Sequence, residues 1–276
     1  MMKKICTLEL LSEKKVRSFQ ALRAEELTGL CESLRVSSGS VINFTETIVG
    51  MINNVICRAT LGSNYKAQDQ AVLIGLIKEL LVTSGAFNVG EFFPRLKFLN
   101  VLLGIKSKWL KIHKDLDKIL EEVLEDHKGR QGGGIERADE DLVDVLLRIK
   151  DGEELENPIT FDNVKAVLLD MFAAGTDTSS ATIVWAMAEM MRNPKVLKKA
   201  IEEFIPFGAG RRMCPGITFG TNSVESTLVE LLYRFDWRLP DGLKPEDINM
   251  EECDGITTTL KEPLQIIPIA LSSPMN

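Results

Sequence analysis

The stretch that decides the fold is Phe207–Gly216, which reads FGAGRRMCPG. It presents one thiol in a glycine-rich loop directly before a helical pattern. The free N–H groups at a helix N-terminus stabilise a thiolate and strengthen its sulfur as a metal ligand. Gly210 and Gly216 allow the backbone to lie flat against a large planar partner, and Arg212 offers a forked donor suited to a carboxylate. The loop therefore predicts a metal-binding thiolate at Cys214.

This loop resembles the haem-binding loop of the cytochromes P-450, whose signature is F-x-x-G-x-R-x-C-x-G. The resemblance implies that Cys214 is the axial ligand of a haem iron, that Phe207 shields the sulfur, and that Arg212 pairs with a haem propionate. Gly210 and Gly216 fill the two glycine positions of the signature. A thiolate ligand pushes electron density onto the iron and favours cleavage of the O–O bond. The structural alternative is a buried cysteine in a glycine-rich turn, against which the ten-residue pattern argues.

A second signal is the run Ala173–Ser180, AAGTDTSS, in the middle of a long helical pattern over about 160–193. Glycine, serine and threonine all disfavour a helix interior, glycine by about 1 kcal/mol. We therefore expect a local bulge in this helix beside a ligand. The alternative is that the hydroxyl groups bond only to carbonyl groups of their own helix.

The same run resembles the A-G-x-D-T oxygen-binding groove of the cytochromes P-450. The resemblance implies that Gly175 lets the helix approach the haem iron. It also implies that Thr178 donates a hydrogen bond to the oxygen ligand of the iron and that Asp177 helps to deliver protons. The groove motif comes first in the chain and the cysteine loop follows it. Together, in this order, the two motifs predict a haem-thiolate monooxygenase.

Further resemblance is to plant members of the family that oxidise terpenoids and other specialised metabolites. The runs Asp162–Ala166, Trp185–Glu189 and Phe235–Trp237 carry this likeness. The family's substrate-contacting positions are occupied by Phe172, Ala173, Ala174, Ile256 and Thr257. These side chains are mostly apolar and small. The resemblance therefore implies a lipophilic small-molecule substrate such as a terpenoid, with haem b as the cofactor and dioxygen as the oxidant.

The redox partner implied by the family is a separate NADPH–cytochrome P-450 reductase. Gly208 and Gly210 resemble the opening of a dinucleotide fingerprint, but Met213 takes the place of the third glycine and no βαβ pattern surrounds it. The family implies a location on the cytosolic face of the endoplasmic reticulum membrane. No run reaches the roughly 18–20 apolar residues of a spanning helix, so we expect membrane association by family only, with a cytosolic product as the alternative.

Composition and charge are typical of a globular, mostly helical protein. The 276 residues are 45% hydrophobic, which is enough to bury a core. A formal net charge of −7 argues against a nucleic-acid binder. Apolar residues at spacings of three and four predict a mostly α fold with residual short strands. The predicted organisation is one incomplete cytochrome P-450 domain over 1–276, helical over 1–200, with the haem loop, a helix and C-terminal strands over 204–276.

The other side chains that commonly bind metals are predicted to be bystanders. His113 and His127 lie in a charged helical pattern over 106–128, without a metal-ligand spacing. We expect both to lie on a solvated helix surface. The cysteines that lack the surroundings of Cys214 are predicted to be inert thiols; they are Cys6, Cys31, Cys57 and Cys253.

The chain departs from the family pattern between the groove helix and the cysteine loop. Lys198–Glu203 runs almost directly into Phe204–Phe207, where the family has a long segment with an E-x-x-R pair and a P-x-R element. The family's anchor, hinge, first sheet and W-R-x-x-R helix are also expected to be missing, apart from a remnant at Lys3 and Lys4. Two alternatives to a monooxygenase follow. One is a truncated, non-catalytic remnant that binds haem poorly or not at all, and the other is a helical interaction protein with an incidental cysteine loop.

Overall fold

The structure, a computed structural model, describes residues 2–62, 67–85, 105–130, 140–152, 158–193, 207, 213–253 and 255–271. Within these ranges the helices are α1 (Met2–Ile5), a π-helical turn (Cys6–Leu10), α2 (Glu13–Ser18), α3 (Gln20–Val36), α4 (Phe44–Leu61), α5 (Ala67–Gly85), α6 (Ile105–Arg130), α7 (Leu142–Asp151), α8 (Phe161–Arg192), α9 (Ile217–Arg234) and a 3-10 turn (Pro245–Asp247). The strands are β1 (Ile42–Asn43), β2 (Phe235–Arg238), β3 (Glu252–Cys253), β4 (Thr259–Leu260) and β5 (Gln265–Ala270). The predicted mostly α fold with short strands is confirmed.

The ends of the helices follow local sequence signals. Thr160 and Asn163 form a reciprocal cap at the start of α8: the Asn163 N–H donates to Thr160 Oγ1 at 3.2 Å, and the Thr160 N–H donates to Asn163 Oδ1 at 3.0 Å. Gly62, with a φ of 79°, follows the last residue of α4 and provides the left-handed conformation that often ends a helix. Among the described residues, no helix is both long and apolar enough to cross a membrane.

The chain forms two compact units. The first, here called the sheet unit, takes the segments 1–59, 174–253 and 258–276. The second, here called the helical unit, takes 60–173 and 254–257. The prediction of a single domain over 1–276 stays a prediction.

The sheet unit is built around a three-stranded antiparallel sheet with the order β1-β5-β2. Phe44, the first residue of α4, is fully buried and joins this helix to the sheet. Its N–H donates to the carbonyl oxygen of Leu264 at 2.9 Å, and its ring meets Trp237 edge to face with the ring centroids 5.5 Å apart. The sheet therefore holds the start of α4, which packs against α8 further along.

Aromatic contacts near the chain start position α9, the helix that follows the cysteine loop. Phe19, between α2 and α3, meets Phe219 in the first turn of α9 with ring centroids 6.5 Å apart. The buried guanidinium of Arg23 lies 5.7 Å from the centre of the Phe219 ring and donates to the carbonyl oxygen of Val16 at 3.0 Å. These contacts hold the N-terminal end of α9 against α2 and α3.

The helical unit is organised by α6, which packs against α5 and α7. One side of α6 is buried and apolar, as the spacing of its residues predicts; it consists of Ile112, Leu116, Leu120, Val123 and Leu124. The first half of α8 is tied to α6 by Lys165, whose Nζ lies 2.7 Å from Asp117 Oδ1 and 2.5 Å from Glu121 Oε2. Burial alone would lower the pKa of Lys165, but hydrogen bonds to the two carboxylates more than offset it, so the pKa is raised.

We expect Lys165→Met to lower the free energy of unfolding by about 1 kcal/mol, because it leaves two neighbouring carboxylates without their cation. The effect is modest because Asp117 and Glu121 are about half exposed and solvent screens their charges. Urea unfolding measures the change. Lys118→Met is the matched control, since the Lys118 side chain is 78% exposed and meets only Glu122, at 3.6 Å, among the ion pairs of the described residues. Equal effects of the two substitutions would contradict the prediction.

Candidate functional site

Cys214 lies just before the N-terminus of α9, as the sequence predicts. Gly216 is the N-cap residue of this helix. The N–H of Cys214 donates to the carbonyl oxygen of Phe207 at 2.9 Å and so closes the loop between them. Phe207 has a φ of 65°, a left-handed conformation that costs a residue with a side chain about 1–2 kcal/mol. The closed loop presents a half-buried thiol at a helix N-terminus.

Two glycines, Gly216 and Gly220, lie beside the sulfur of Cys214 and the ring of Phe207. A Cβ atom placed on Gly216 would lie 3.8 Å from Cys214 Sγ, and one placed on Gly220 would lie 3.4 Å from the ring of Phe207. The structure therefore brings Phe207, Cys214 and Gly216 together. Gly210 and Arg212, the other predicted cofactor-binding residues of the loop, lie outside the described residues.

The donor set at Cys214 fits a haem thiolate ligand. Among the described residues, the one group of three or more side chains that could hold a metal ion is His127, Asp141 and Asp144, and Cys214 is not part of it. A single thiolate holds a metal firmly when a cofactor such as a porphyrin supplies the other ligands. The residues that are described here fit such a cofactor.

A contact from the start of the chain reaches this loop. Lys3 Nζ donates to the carbonyl oxygen of Met213 at 3.2 Å. Met213 is the residue directly before Cys214. The predicted remnant at Lys3 and Lys4 thus lies beside the cysteine loop. Lys3 and Met213 are 210 residues apart in the chain, so no local sequence pattern could predict this contact.

The groove segment of α8 is regular helix, so the expected bulge is not found. Thr178 Oγ1 donates to the carbonyl oxygen of Ala174 at 2.6 Å, and Thr182 Oγ1 donates to that of Thr178 at 2.8 Å. Ser180 Oγ donates to the carbonyl oxygen of Thr176 at 2.8 Å. These bonds leave the i→i−4 pattern of the helix intact. The structure therefore agrees with the alternative, in which the hydroxyl groups donate to carbonyl oxygens of their own helix.

Gly175 makes a packing contact that the sequence analysis did not predict. A Cβ atom placed on Gly175 would lie 2.8 Å from Ile56 Cδ1 on α4, closer than such atoms approach. The missing side chain makes room for α4 to pack against α8. The role that the resemblance implies for Gly175, which is to let the helix approach the haem iron, stays a prediction. Thr178 is exposed and Asp177 is partly exposed on the following turn, so both remain open to solvent.

The predicted substrate-contacting residues differ widely in exposure. Phe172 is 2% exposed and belongs to the core, whereas Ile256 is 61% exposed. Ala173 and Thr257 are partly exposed, and Ala174 is exposed. Ala174 belongs to the sheet unit, together with Cys214 and Thr178, and the other four belong to the helical unit.

The sequence analysis did not predict a hydrogen bond of Trp185. Trp185 Nε1, on α8, donates to the carbonyl oxygen of Thr258 at 3.1 Å. This bond ties α8 to the chain directly after Thr257. Sequence reasoning matched Trp185 to a family motif but could not find its partner, because a backbone carbonyl carries no sequence signal.

The family model described as cytochrome P-450 matches residues 1–204 and 201–267. The chain belongs to the cytochrome P-450 family. This P-450 is 42% identical to costunolide synthase of Lactuca sativa, over 98% of this chain and 74% of that enzyme. It is 40% identical to germacrene A acid 8-beta-hydroxylase of Inula hupehensis, over 98% of this chain and 74% of that enzyme. A zebra fish cytochrome P-450 solved with progesterone shares its fold, with a TM-score of 0.73 at 17% identity over 97% of this chain and 80% of that chain.

Family membership confirms the prediction of a haem-dependent cytochrome P-450 monooxygenase. The match to the family model also locates the place where this chain is shorter than its relatives. The two matches to the family model meet at residues 201–204, and the alignment with the Lactuca enzyme runs over 370 residues although this P-450 has 276. The relative therefore has an internal segment without a counterpart here, between α8 and α9, where the sequence predicted it.

His127 corrects a second expectation. His113 is exposed on α6, as predicted, but His127 is 1% exposed. Its Nε2 lies 2.9 Å from Asp141 Oδ2 and its Nδ1 lies 2.8 Å from the carbonyl oxygen of Val123. The helical pattern could not show that Asp141 and α7 would cover this side of α6.

Proposed function

We propose that this cytochrome P-450 inserts one oxygen atom from dioxygen into a lipophilic terpenoid, with Cys214 as the axial ligand of a haem b. The observation that carries the proposal is the loop closed by the Cys214 N–H and the Phe207 carbonyl, which presents a half-buried thiol at the start of α9. Relatives named costunolide synthase, germacrene A acid 8-beta-hydroxylase and premnaspirodiene oxygenase support terpenoids as the substrate class.

Haem, when bound, supplies the oxidising chemistry, which a thiolate ligand strengthens. The chain stabilises that thiolate with the free N–H groups of the first turn of α9. The resemblance assigns to Phe207 the shielding of the sulfur, and Gly216 lies beside the sulfur without a side chain. Arg212 pairs with a propionate and Gly210 permits the loop conformation; both roles rest on the resemblance.

The second part of the proposal concerns protons on α8. Thr178 is exposed and Asp177 is partly exposed beside it, and the resemblance assigns to Thr178 the donation of a hydrogen bond and to Asp177 a part in the delivery of protons. In the present structure the Thr178 hydroxyl donates to the Ala174 carbonyl. It must rotate away to donate elsewhere, at a net cost of about 1 kcal/mol for the bond it leaves.

The lipophilic substrate is proposed to contact small side chains beside the groove. The residues that the resemblance assigns to these contacts are Phe172, Ala173, Ala174, Ile256 and Thr257. Electrons come from an NADPH–cytochrome P-450 reductase at the cytosolic face of the endoplasmic reticulum. A cytosolic form of this chain is the alternative location.

A second candidate function is a non-catalytic remnant of the family. The observation that favours it is the internal segment that the relatives have and this chain lacks between α8 and α9. Such a remnant retains the helices but binds haem poorly or not at all.

Turnover of the haem-loaded chain distinguishes the two candidates. The chain is incubated with the reductase, NADPH, isotopically labelled dioxygen and a panel of sesquiterpenes, and the products are analysed by mass spectrometry. The proposed function predicts a product that carries one labelled oxygen atom and requires NADPH. Haem incorporation without any such product, or no haem incorporation, would assign the chain to the remnant class.

A further inference from the structure

Arg23, on α3, carries a buried positive charge. The residue is only 8% exposed, and burial lowers the pKa of its guanidinium. Nη1 donates to the carbonyl oxygen of Val16 at 3.0 Å, and among the described residues Nε and Nη2 have no hydrogen-bond partner. Nε and Nη2 form one side of the guanidinium fork, which can donate two parallel hydrogen bonds to a carboxylate.

Within the described part of the chain, no carboxylate pairs with this guanidinium. The nearest acidic residues along α3 are Glu25 and Glu26, and both bind Arg58, at 2.7 and 2.6 Å. The ring of Phe219, whose centre lies 5.7 Å away, compensates only part of the charge. A buried charge without a counter-ion is costly, so Arg23 has the properties of a cation that binds a ligand.

Arg23 lines an open cleft of about 960 Å³ between α2, α3 and α9, here called the α3–α9 cleft. The two longer helices pack against each other and run in the same direction. Arg23, near the start of α3, meets the ring of Phe219 in the first turn of α9. Near the other ends of these helices, burial raises the pKa of the Cys31 thiol, and the charges of Arg234 and Glu230 also act on it.

The end of the cleft that contains Arg23 favours a negative charge. Gln20, the first residue of α3, and Thr218, in the first turn of α9, both line it. The positive ends of two helix dipoles therefore lie beside the guanidinium. Arg17 lines the cleft as well, but it is already paired with Glu13 at 2.5 Å. Arg23 is thus the cation that remains for a ligand at this end.

Further along, the cleft is apolar and then acidic. Leu27, one turn after Arg23 on α3, and Val229 on α9 line its middle part. Glu225 also lines it and opposes a second negative charge. Glu230, towards the far end, is paired with Arg234. The cleft therefore offers a place for one negative charge followed by an apolar surface.

We propose that the α3–α9 cleft binds a monocarboxylate with an apolar body. The carboxylate lies on Nε and Nη2 of Arg23, and the body lies along Leu27 and Val229. One cation without a partner matches one negative charge, whereas a phosphate dianion would lack a second cation and would face Glu225. From Phe219 to Val229, α9 rises by roughly 15 Å, which leaves room for a chain of the length of octanoate.

Octanoate, titrated into the full chain, tests the site. The Nε–Hε NMR signal of Arg23, identified by its loss in Arg23→Gln, reports on the guanidinium directly. Octanoate should shift this signal until one molecule is bound per chain. Octanamide has the same apolar body without the charge, and it should bind about tenfold more weakly or less, because hydrogen bonds to a charged group are stronger than neutral ones.

A variant at the surface of the cleft tests the site without removal of a buried side chain. Val229 is 63% exposed on α9, so Val229→Asp should keep the helix content, which circular dichroism checks. Its carboxylate repels that of octanoate and removes apolar surface, so binding should weaken about fivefold or more. Val72→Asp is the matched control, because Val72 is 56% exposed in α5 and does not line the cleft. This control should bind octanoate within about twofold of the parent chain.

Three results would overturn the proposal. One is an Arg23 signal that does not move at about 10 mM octanoate, or that octanamide moves equally well. Another is an equal effect of Val229→Asp and Val72→Asp on binding. The third is a stronger response of the Arg23 signal to inorganic phosphate than to octanoate, which would make the cleft a phosphate site. Cys214 does not line the cleft and no turnover is measured, so the outcome is independent of the proposed function.

Discussion

Cys214→Ala abolishes the red-shifted Soret band that we expect from the carbon monoxide complex of the haem-loaded, reduced chain. The red shift depends on a thiolate ligand to the iron, and alanine offers no ligand atom. Within the described residues, Cys214 belongs to no group of three or more side chains that could hold a metal ion. The difference spectrum after dithionite reduction measures the effect directly.

A matched control for this prediction is Cys253→Ala. Cys253 is an exposed thiol in strand β3, outside the loop, and its loss should leave the band unchanged. The backbone of the loop should survive Cys214→Ala, because the bond from residue 214 to the Phe207 carbonyl uses the main-chain N–H. Circular dichroism should therefore show the same helix content in all three chains.

The other outcomes are equally informative. A red-shifted band that persists in Cys214→Ala would place the thiolate elsewhere and contradict the assignment of the site. No such band in the parent chain would support the non-catalytic remnant, and would trace the loss to the internal segment that the relatives have.

Gly175→Val lowers the free energy of unfolding by about 2 kcal/mol, since overpacking of a tight contact typically costs about 1–3 kcal/mol. A Cβ atom at this position would lie 2.8 Å from Ile56 Cδ1. Cδ1 is the end of the Ile56 side chain, but Ile56 is only 5% exposed, so rotation that moves this atom aside meets other packed atoms. Valine is a better helix former than glycine by a few tenths of a kcal/mol, which the clash outweighs. The midpoint of urea unfolding, at unchanged slope, measures the difference.

Gly29→Val is the control for helix propensity alone. Gly29 lies in α3, and a Cβ atom there would meet nothing within 4 Å. This substitution should leave stability unchanged or slightly raised. A second check is Ile56→Ala in the Gly175→Val chain: it removes the clashing atoms, so the double variant should be more stable than the sum of the two single effects predicts. Equal losses for Gly175→Val and Gly29→Val would contradict the packing role of Gly175.

Much of the fold could be predicted because its signals are local. The limits of α8 follow from the cap formed by Thr160 and Asn163 and from apolar spacing, and the predicted helix over about 160–193 is found at Phe161–Arg192. The place of Cys214 before α9 follows from a glycine-rich loop that meets a helical pattern. The haem-thiolate family could also be predicted, and so could the gap near residue 204 relative to other family members, because motif order and spacing are properties of the sequence.

The sequence by itself thus determined the family, the mostly α fold and the position of the thiol along the chain. The tertiary structure decided what individual side chains contact. Gly175 makes room for Ile56, Thr178 donates to its own helix, and His127 is buried beside Asp141. Caps and periodicity are set by residues a few positions apart, so they leave a trace in the sequence. Burial, close packing and long-range hydrogen bonds depend on which distant helix covers a side chain, and that is settled only when the chain has folded.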